Sequence, residues 1–203
     1  MRRKSRLAFA IAIALVPGAG ACLAPDGLEA RETVSPVTSS VPPAAEEDCI
    51  AVYFSPGGHA TEAVVHEIDA ARASIQVLAY RLTSPPIASA LARAVARGVD
   101  VEVVIDGAGQ EAKSPDAAFL SDQAVPVSID AVHAIAHNKV MLIDEEVLIT
   151  GSFNFTSAAE RSNAENLLVL RGKPVLMKAY LAEFQKHLGH STAYRPQDAA
   201  VRE

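Results

Sequence analysis

The segment that decides the fold runs from residue 137 to residue 155 and reads HNKVMLIDEEVLITGSFNF. It contains two apolar runs, 139–143 and 147–150, joined by three acidic residues. Short apolar runs separated by a short polar turn are typical of a β-hairpin. The segment therefore predicts two adjacent antiparallel strands.

Polar side chains are concentrated at one end of this predicted hairpin. Residues i and i+2 of a strand share a face, so His137 and Lys139 should lie side by side. Gly151 ends the second strand, and the turn after it should bring Ser152 and Asn154 close to the start of the first strand. The hairpin thus gathers an imidazole, an ammonium, a hydroxyl and a carboxamide.

This set of groups suits the binding and transfer of a phosphoryl group. Lys139 can neutralise a non-bridging oxygen, Asn154 can donate hydrogen bonds to another, and a neutral His137 can act as a nucleophile. An isolated His-x-Lys pair is more often structural, but the downstream Gly-Ser-x-Asn favours a functional site. The predicted chemistry requires no metal and no cofactor.

The remaining pattern indicates one α/β layered domain. A chain of 203 residues, 50% of them hydrophobic, can enclose one substantial core. Short β-branched runs alternate with helical periodicity, which favours a sheet covered by helices. The predicted strands before the hairpin are 50–54, 75–80, 99–105 and 125–129, and the predicted helices are 61–73, 85–97 and 116–122.

The first 48 residues differ from the rest of the chain. Residues 1–21 have a basic start, a ten-residue apolar run and a small-residue end, which is typical of a secretory signal peptide. Residues 22–48 are rich in Pro, Ser, Thr, Ala and Glu and predict a flexible tether. The catalytic domain is therefore expected at 49–203, in the periplasm or attached to the cell envelope.

The two cysteines leave three alternatives open. Cleavage after Ala21 would make Cys22 the first mature residue, which suggests a lipid anchor, although Ala19 stands where a lipoprotein signal usually has a larger aliphatic residue. In an oxidising compartment Cys22 could instead pair with Cys49. Two free thiols are the third alternative.

The charge of the chain does not indicate a polyanionic partner. The net charge is −6, and removing the four basic residues of the first 21 leaves −10. Residues 22–48 carry −5 of this, so residues 49–203 carry −5. Attraction to phosphate must therefore come from a local group of donors rather than from the whole surface.

The spacing His137-x-Lys139-x4-Asp144-x6-Gly151-Ser152-x-Asn154 resembles the HKD motif of the phospholipase D superfamily. The segments YFSPGG, AYRLTSPPIASALARAVARGVDVEVVID and GSFNFTSAAERSNAEN are similar to the short, secreted, single-motif bacterial endonucleases of that superfamily. The resemblance covers about residues 50–190. It implies a mixed β-sheet with helices on both faces and one motif per chain.

The resemblance also implies roles for individual residues. His137 would attack phosphorus and form a phosphohistidine, while Lys139 and Asn154 would bind phosphate oxygens. Ser152 would order the same turn. Glu165 would orient the histidine. Two further residues carry less weight: Asp144, which mainly supports structure in the family, and Asn166, which lies beside Glu165.

One histidine cannot be bound to phosphorus and protonate the leaving oxygen at the same moment, so a second acid is required. Longer members of the superfamily carry two motifs, whereas this chain carries one. The second histidine should therefore be the partner subunit's His137, in a symmetric homodimer that shares one active site. The two histidines would then differ in protonation state.

The predicted function is a metal-independent endonuclease that hydrolyses DNA or RNA. A phospholipase D that hydrolyses phospholipid head groups is the alternative with the same chemistry, and a head-group transferase is related to it. A non-catalytic phosphate-binding module is the alternative of another class. Short length favours the nuclease, because one compact domain has little material to shape an acyl-chain pocket.

Other basic side chains receive structural interpretations. His187 and His190 have a spacing that can hold a metal. No third ligand is evident in the sequence, and the pair is predicted to be a solvated helix end. His133 lies in an irregular approach to the motif, and Arg81 follows a predicted strand and could line the groove.

Overall fold

The computed structural model describes residues 49–107 and 114–195. The predicted signal peptide, the predicted tether and Cys22 lie outside these residues. Cys49 is described and is exposed. The lipid anchor and the Cys22–Cys49 disulfide therefore stay predictions.

The described chain forms an eight-stranded mixed sheet with the strand order β1-β7-β6-β5-β2-β3-β4-β8. The strands are β1 Ile50–Ser55, β2 Ser74–Ala79, β3 Asp100–Asp106, β4 Val127–Asp130, β5 Lys139–Ile143, β6 Val147–Gly151, β7 Glu165–Arg171 and β8 Thr192–Ala193. The helices are α1 Ala60–Ala70, α2 Pro85–Ala96, α3 Pro115–Ser121, α4 Ser157–Arg161 and α5 Pro174–His190.

The predicted hairpin occupies the middle of the sheet. Strands β5 and β6 pair antiparallel, with Ile143 opposite Val147 beside the turn. Strand β5 also pairs antiparallel with β2, which continues through parallel pairs into β3 and β4. All five residues of β5 are buried, as expected for an apolar strand covered on both faces.

Helices cover both faces of the sheet, as predicted. Buried residues of α1, α2, α3 and α4 share one apolar core with one face of the strands. Met177 and Phe184 of α5 form a second core on the opposite face, against residues such as Leu142 and Leu148. The α/β class with a mixed sheet between helices is therefore confirmed.

Element boundaries differ from the prediction where tertiary contacts decide them. Helix α1 ends at Ala70 rather than at residue 73. The Ala71 N–H still donates to the Ile68 carbonyl oxygen, but those of Arg72 and Ala73 donate to Asp144 instead of continuing the helix. Ser84 precedes Pro85 at the start of α2, but its side chain makes no capping hydrogen bond. Strands β7 and β8 and helix α4 were not predicted.

Asp144 fixes the turn of the hairpin to the rest of the sheet. Its carboxylate accepts hydrogen bonds from the backbone N–H groups of Arg72 (2.8 Å), Ala73 (2.8 Å) and Ser74 (2.9 Å). Burial raises the pKa of this carboxyl, but the three N–H donors outweigh burial, and the pKa lies below its ordinary value. The hairpin is thereby tied to the start of β2.

We predict that Asp144→Ala lowers the free energy of unfolding by about 1–3 kcal/mol, because three backbone donors lose a charged acceptor. A depressed folded-state pKa gives stability that is present above the unfolded pKa of about 3.9 and is lost as pH falls through the folded pKa. Urea unfolding at pH 7 and at pH 3 should therefore show a difference between variant and native protein that shrinks at the lower pH.

The control is Glu146→Ala, which removes an exposed acid from the same turn. It should change the free energy of unfolding by less than about 0.5 kcal/mol. A loss in Glu146→Ala equal to that in Asp144→Ala would contradict a specific role for Asp144.

Candidate active site

The predicted site residues meet at one end of the sheet. In antiparallel neighbours, the start of one strand lies beside the end of the next. Lys139 at the start of β5 is opposite Ala79 at the end of β2, and Gly151 at the end of β6 is opposite Leu167 near the start of β7. Side chains from four strands and their loops therefore meet at the same end of the sheet.

His137 and Lys139 are in direct contact. The Lys139 Nζ lies 3.3 Å from Nδ1 and 3.4 Å from Nε2 of His137, and it donates to the His137 carbonyl oxygen at 3.1 Å. Lys139 is only 7% exposed. Within residues 49–107 and 114–195 its ammonium has no carboxylate within ion-pair distance. A buried cation without a paired anion is costly, and such groups are concentrated at binding sites.

Burial lowers the pKa of Lys139, and the negative charge of Glu165 acts in the opposite direction. The net shift is downward because desolvation disfavours the charged form. Glu165 is thus electrostatically coupled to the lysine of the motif. An anionic ligand at this position would favour the charged ammonium.

Tyr80 is a member of the site that the sequence analysis did not single out. Its ring lies 4.5 Å from the His137 ring, centroid to centroid, and the Lys139 Nζ lies 5.3 Å from the Tyr80 ring centroid. The Tyr80 backbone N–H donates to the Asn138 carbonyl oxygen at 2.7 Å. Only the pairing of β2 with β5 brings Tyr80 here, and no local signal reveals that pairing.

Two phenylalanines hold the turn that carries Ser152 and Asn154. Phe153 and Phe155 are fully buried, whereas Ser152 between Gly151 and Phe153 is exposed. The Phe155 carbonyl also accepts two backbone hydrogen bonds from the segment before α2. The alternation in Gly-Ser-Phe-Asn-Phe therefore inserts the apolar residues into the core and leaves Ser152 exposed and Asn154 half-buried.

Gly151 permits a close approach that no other residue allows. Its φ is +152°, and a Cβ added to it would lie 2.2 Å from the Asn166 carbonyl oxygen. That oxygen accepts the N–H groups of Ser152 (3.0 Å) and Phe153 (3.2 Å), and the Asn166 N–H donates to the Ser152 Oγ at 3.0 Å. Asn166 thus contributes its backbone to the order of the turn.

The remaining predicted residues differ in placement. Glu165 begins β7 and accepts a hydrogen bond from Asn163 Nδ2 at 3.1 Å; across the described ranges it makes none with His137. The Oδ1 of Asn154 is buried without a hydrogen-bond partner, a condition that commonly marks a site for a ligand. Asp144 lies at the opposite end of β5 from Lys139.

The structure changes two predictions about neighbouring residues. Arg81 does not extend freely into the groove, because its guanidinium forms a two-point pair with Asp116, at 2.8 and 3.1 Å. His187 is not a solvated helix end: it is buried, because the end of α5 packs against β4.

No helix in the described part of the chain is long and apolar enough to cross a bilayer.

Several known proteins are similar to this chain in sequence. A family model described as "Cardiolipin synthase, PLD-like domain" matches residues 64–188. A phospholipase D of Rickettsia bellii is 41% identical over 121 residues, 60% of each chain. The human mitochondrial cardiolipin hydrolase is 30% identical over 130 residues, 64% of this chain and 51% of the relative. The chain thus spans about 60% of the rickettsial relative.

Solved structures agree in fold. The crystal structure of Nuc from Salmonella typhimurium, a phospholipase D family member, has a TM-score of 0.67 and 36% identity, and the match covers 73% of this chain and 99% of Nuc. NucT from Helicobacter pylori has a TM-score of 0.59 at 21% identity, which supports the fold alone. Since the family model spans more than half of the chain, this protein belongs to the phospholipase D superfamily.

Proposed function

We propose that the protein is a phosphodiesterase that cleaves nucleic acid through a phosphohistidine intermediate. The observation that carries the proposal is the buried ammonium of Lys139, which contacts the His137 ring and has no ion-pair partner among the described residues. A phosphodiester supplies the missing negative charge and places its phosphorus beside a nitrogen nucleophile. Asn154, on the turn after β6, can donate hydrogen bonds from its side-chain nitrogen to a phosphate oxygen.

The first step forms one bond and breaks one bond. A neutral ring nitrogen of His137 attacks phosphorus, a P–N bond forms, and the P–O bond to the leaving group breaks. Lys139 neutralises the charge that accumulates on the non-bridging oxygens. The leaving oxygen takes a proton from a second acid.

The second step returns the enzyme to its starting state. The group that gave up its proton accepts one from water, and the resulting hydroxide attacks phosphorus. The P–N bond breaks, and the phosphate monoester leaves with His137 neutral again. We assign the acid and base of both steps to the partner subunit's His137, which agrees with one motif per chain.

An exposed apolar face supports a symmetric homodimer. Ile50, Val52 and Phe54 point from one face of the edge strand β1, and Phe54 is 61% exposed. Phe54 is opposite Asn166 in the sheet register, so these apolar residues reach the end of the sheet that carries the site. A second copy of the chain that covers it would bring two motifs near each other, as a shared active site requires.

The proposed substrate is DNA or RNA, because the match covers 99% of the chain of Nuc, whose name favours a nuclease. The names of the rickettsial and human relatives favour a second candidate, the hydrolysis of phospholipid head groups. Both substrates contain the same phosphodiester. The predicted export signal makes the periplasm or the envelope the proposed location.

We predict that the purified protein cuts plasmid DNA or RNA in excess EDTA, because neither step uses a metal. His137→Ala should reduce cleavage by on the order of 10³-fold or more, since the nucleophile is lost. The assay is agarose electrophoresis with time, beside turnover of phospholipid vesicles by the same preparation.

Each outcome of that assay has one meaning. Turnover of lipid without cleavage of nucleic acid would replace the nuclease by the phospholipase. Activity that survives His137→Ala would contradict the phosphohistidine. A folded protein that binds phosphate but cleaves neither substrate would identify the non-catalytic binding module.

We predict that Glu165→Gln moves the alkaline limb of the pH profile of kcat/KM to lower pH. The negative charge of Glu165 raises the pKa of Lys139. Without this charge, Lys139 should lose its proton at lower pH, and the neutral amine no longer attracts the phosphate. Glu145→Gln is the control, because this exposed acid lies at the other end of the hairpin. An alkaline limb that stays in place in Glu165→Gln would refute the coupling.

We predict that Phe54→Glu yields a folded monomer whose activity is lower by about 10²–10⁴-fold, the usual contribution of a general acid and base. Light scattering gives the mass, and circular dichroism tests the fold. The matched control, Phe54→Leu, keeps an apolar side chain and should keep both the dimer and the activity. A fully active Phe54→Glu monomer would exclude the shared site.

A further inference from the structure

Four side chains outside the proposed active site converge at the end of α5. Asp130 is the last residue of β4, and His133 follows it in the loop toward β5. His187 and His190 lie one turn apart in the last turn of α5. One candidate ligand atom from each of the four residues lies within 4.8 Å of all the others.

The three histidines are directed at one oxygen atom. Asp130 Oδ2 lies 2.6 Å from His187 Nδ1, 2.9 Å from His133 Nδ1 and 3.2 Å from His190 Nε2. The other oxygen, Oδ1, accepts the backbone N–H of Val132 at 3.0 Å. A carboxylate oxygen has about two lone-pair sites. Three imidazole nitrogens around one oxygen are therefore more than its lone pairs can accept as hydrogen bonds.

The same geometry suits a tetrahedral metal ion. Metal–ligand bonds of about 2.0–2.1 Å place the ligand atoms of a tetrahedral zinc site about 3.3 Å apart. The distances from Asp130 Oδ2 to the three nitrogens are all somewhat shorter than this spacing. Side-chain shifts of about 1 Å would therefore make room for an ion. Three imidazoles and one carboxylate are ligands that zinc accepts.

The surroundings of His187 provide the outer support that metal-binding histidines usually have. With Nδ1 directed at the cluster, its Nε2 carries the ring hydrogen and lies 3.6 Å from Glu183 Oε1. The side-chain nitrogen of Asn138 lies 3.4 Å from the same atom, as a packing contact. A carboxylate beside the second ring nitrogen fixes the tautomer of a ligand. Asp130 and His187 are buried, so half of the site belongs to the folded core, and the exposed His133 and His190 complete it.

We infer that Asp130, His133, His187 and His190 bind one divalent transition-metal ion, with zinc as the best match. Four protein ligands leave no open coordination position, which is the pattern of a structural site rather than a catalytic one. The ion would join the end of α5 to β4 and to the loop that leads to His137. It takes no part in the proposed phosphoryl transfer.

The position of the cluster gives this site a role in ordering the motif. His187 contacts Asn138, which lies between the two motif residues His137 and Lys139. The loop before Asn138 is also held at Ala136, whose N–H donates to Asp106 Oδ1 at 2.7 Å. Metal binding would therefore stabilise the segment that carries the nucleophile.

The test uses the mature protein freed of any histidine tag, stripped with chelator and then titrated with ZnSO4. We expect one zinc per chain by mass spectrometry of metals after gel filtration. We also expect the Tm to rise by about 5–10 °C at a zinc concentration 100-fold above Kd. Co²⁺ in place of zinc should give the intense visible absorption of a tetrahedral site.

Two partly exposed ligands provide variants that should fold. His133→Ala and His190→Ala should each weaken zinc binding at least tenfold, and the double variant should lose the Tm increase. His66→Ala, which removes an exposed histidine of α1, is the control and should bind as the native protein does. Circular dichroism of the stripped proteins checks that all variants are folded.

Absence of stoichiometric zinc in the native protein, or zinc binding unchanged in the double variant, would overturn the inference. Metal content and Tm do not depend on catalysis, so failure of the proposed nuclease activity would leave this result standing. Conversely, loss of cleavage in His137→Ala, measured on the zinc-loaded protein, tests the proposed function without removing this ion.

Discussion

The close approach of Gly151 to the backbone of Asn166 is the constraint on which the site depends. It lets one carbonyl oxygen accept two consecutive N–H groups, and this fixes the direction of the chain just after β6. Phe153 and Phe155 then anchor the turn in the core. The precision of the polar groups thus comes from backbone contact and apolar packing, which are stiffer than long side chains.

Burial of Lys139 connects stability with function. An ammonium with little exposure and no paired carboxylate in the part of the chain that the structure describes opposes folding, so the surrounding sheet must hold it in place. The fully buried strand β5 and the Asp144 contacts at its far end supply that rigidity. The same unfavourable charge makes the position attractive to a phosphodiester. The protein therefore keeps an electrostatic cost that its ligand removes.

How much could be predicted from the sequence depended on the range of the interactions. The hairpin and the grouping of His137 with Lys139 are local consequences of alternation and turn residues. Tyr80 reaches them only because β2 pairs with β5, which no local pattern specifies. The predicted end of α1 was wrong for the same reason, since Asp144, far along the chain, accepts the N–H groups of the residues that would have extended the helix.

The histidines of α5 also show how little a local sequence pattern reveals about contacts between distant residues. His187 and His190 have a recognisable spacing, but Asp130 and His133 lie more than 50 residues earlier and join them only through the packing of α5 on β4. A sequence window on the helix contains half of the cluster. The ligand type is readable locally, whereas the number of ligands is a property of the tertiary fold.

The direction of β1 has a consequence for how the domain can be displayed. Its last residue, Ser55, is opposite Glu165 at the site, whereas Ile50 is opposite Leu170, about 17 Å away along the strand. Residue 49, where the preceding chain enters the domain, therefore lies at the pole opposite the reactive groups. If the domain were attached through the chain before residue 49, the attachment would lie at the end of the sheet away from the site. The end that carries the site would then stay accessible to a long polymer.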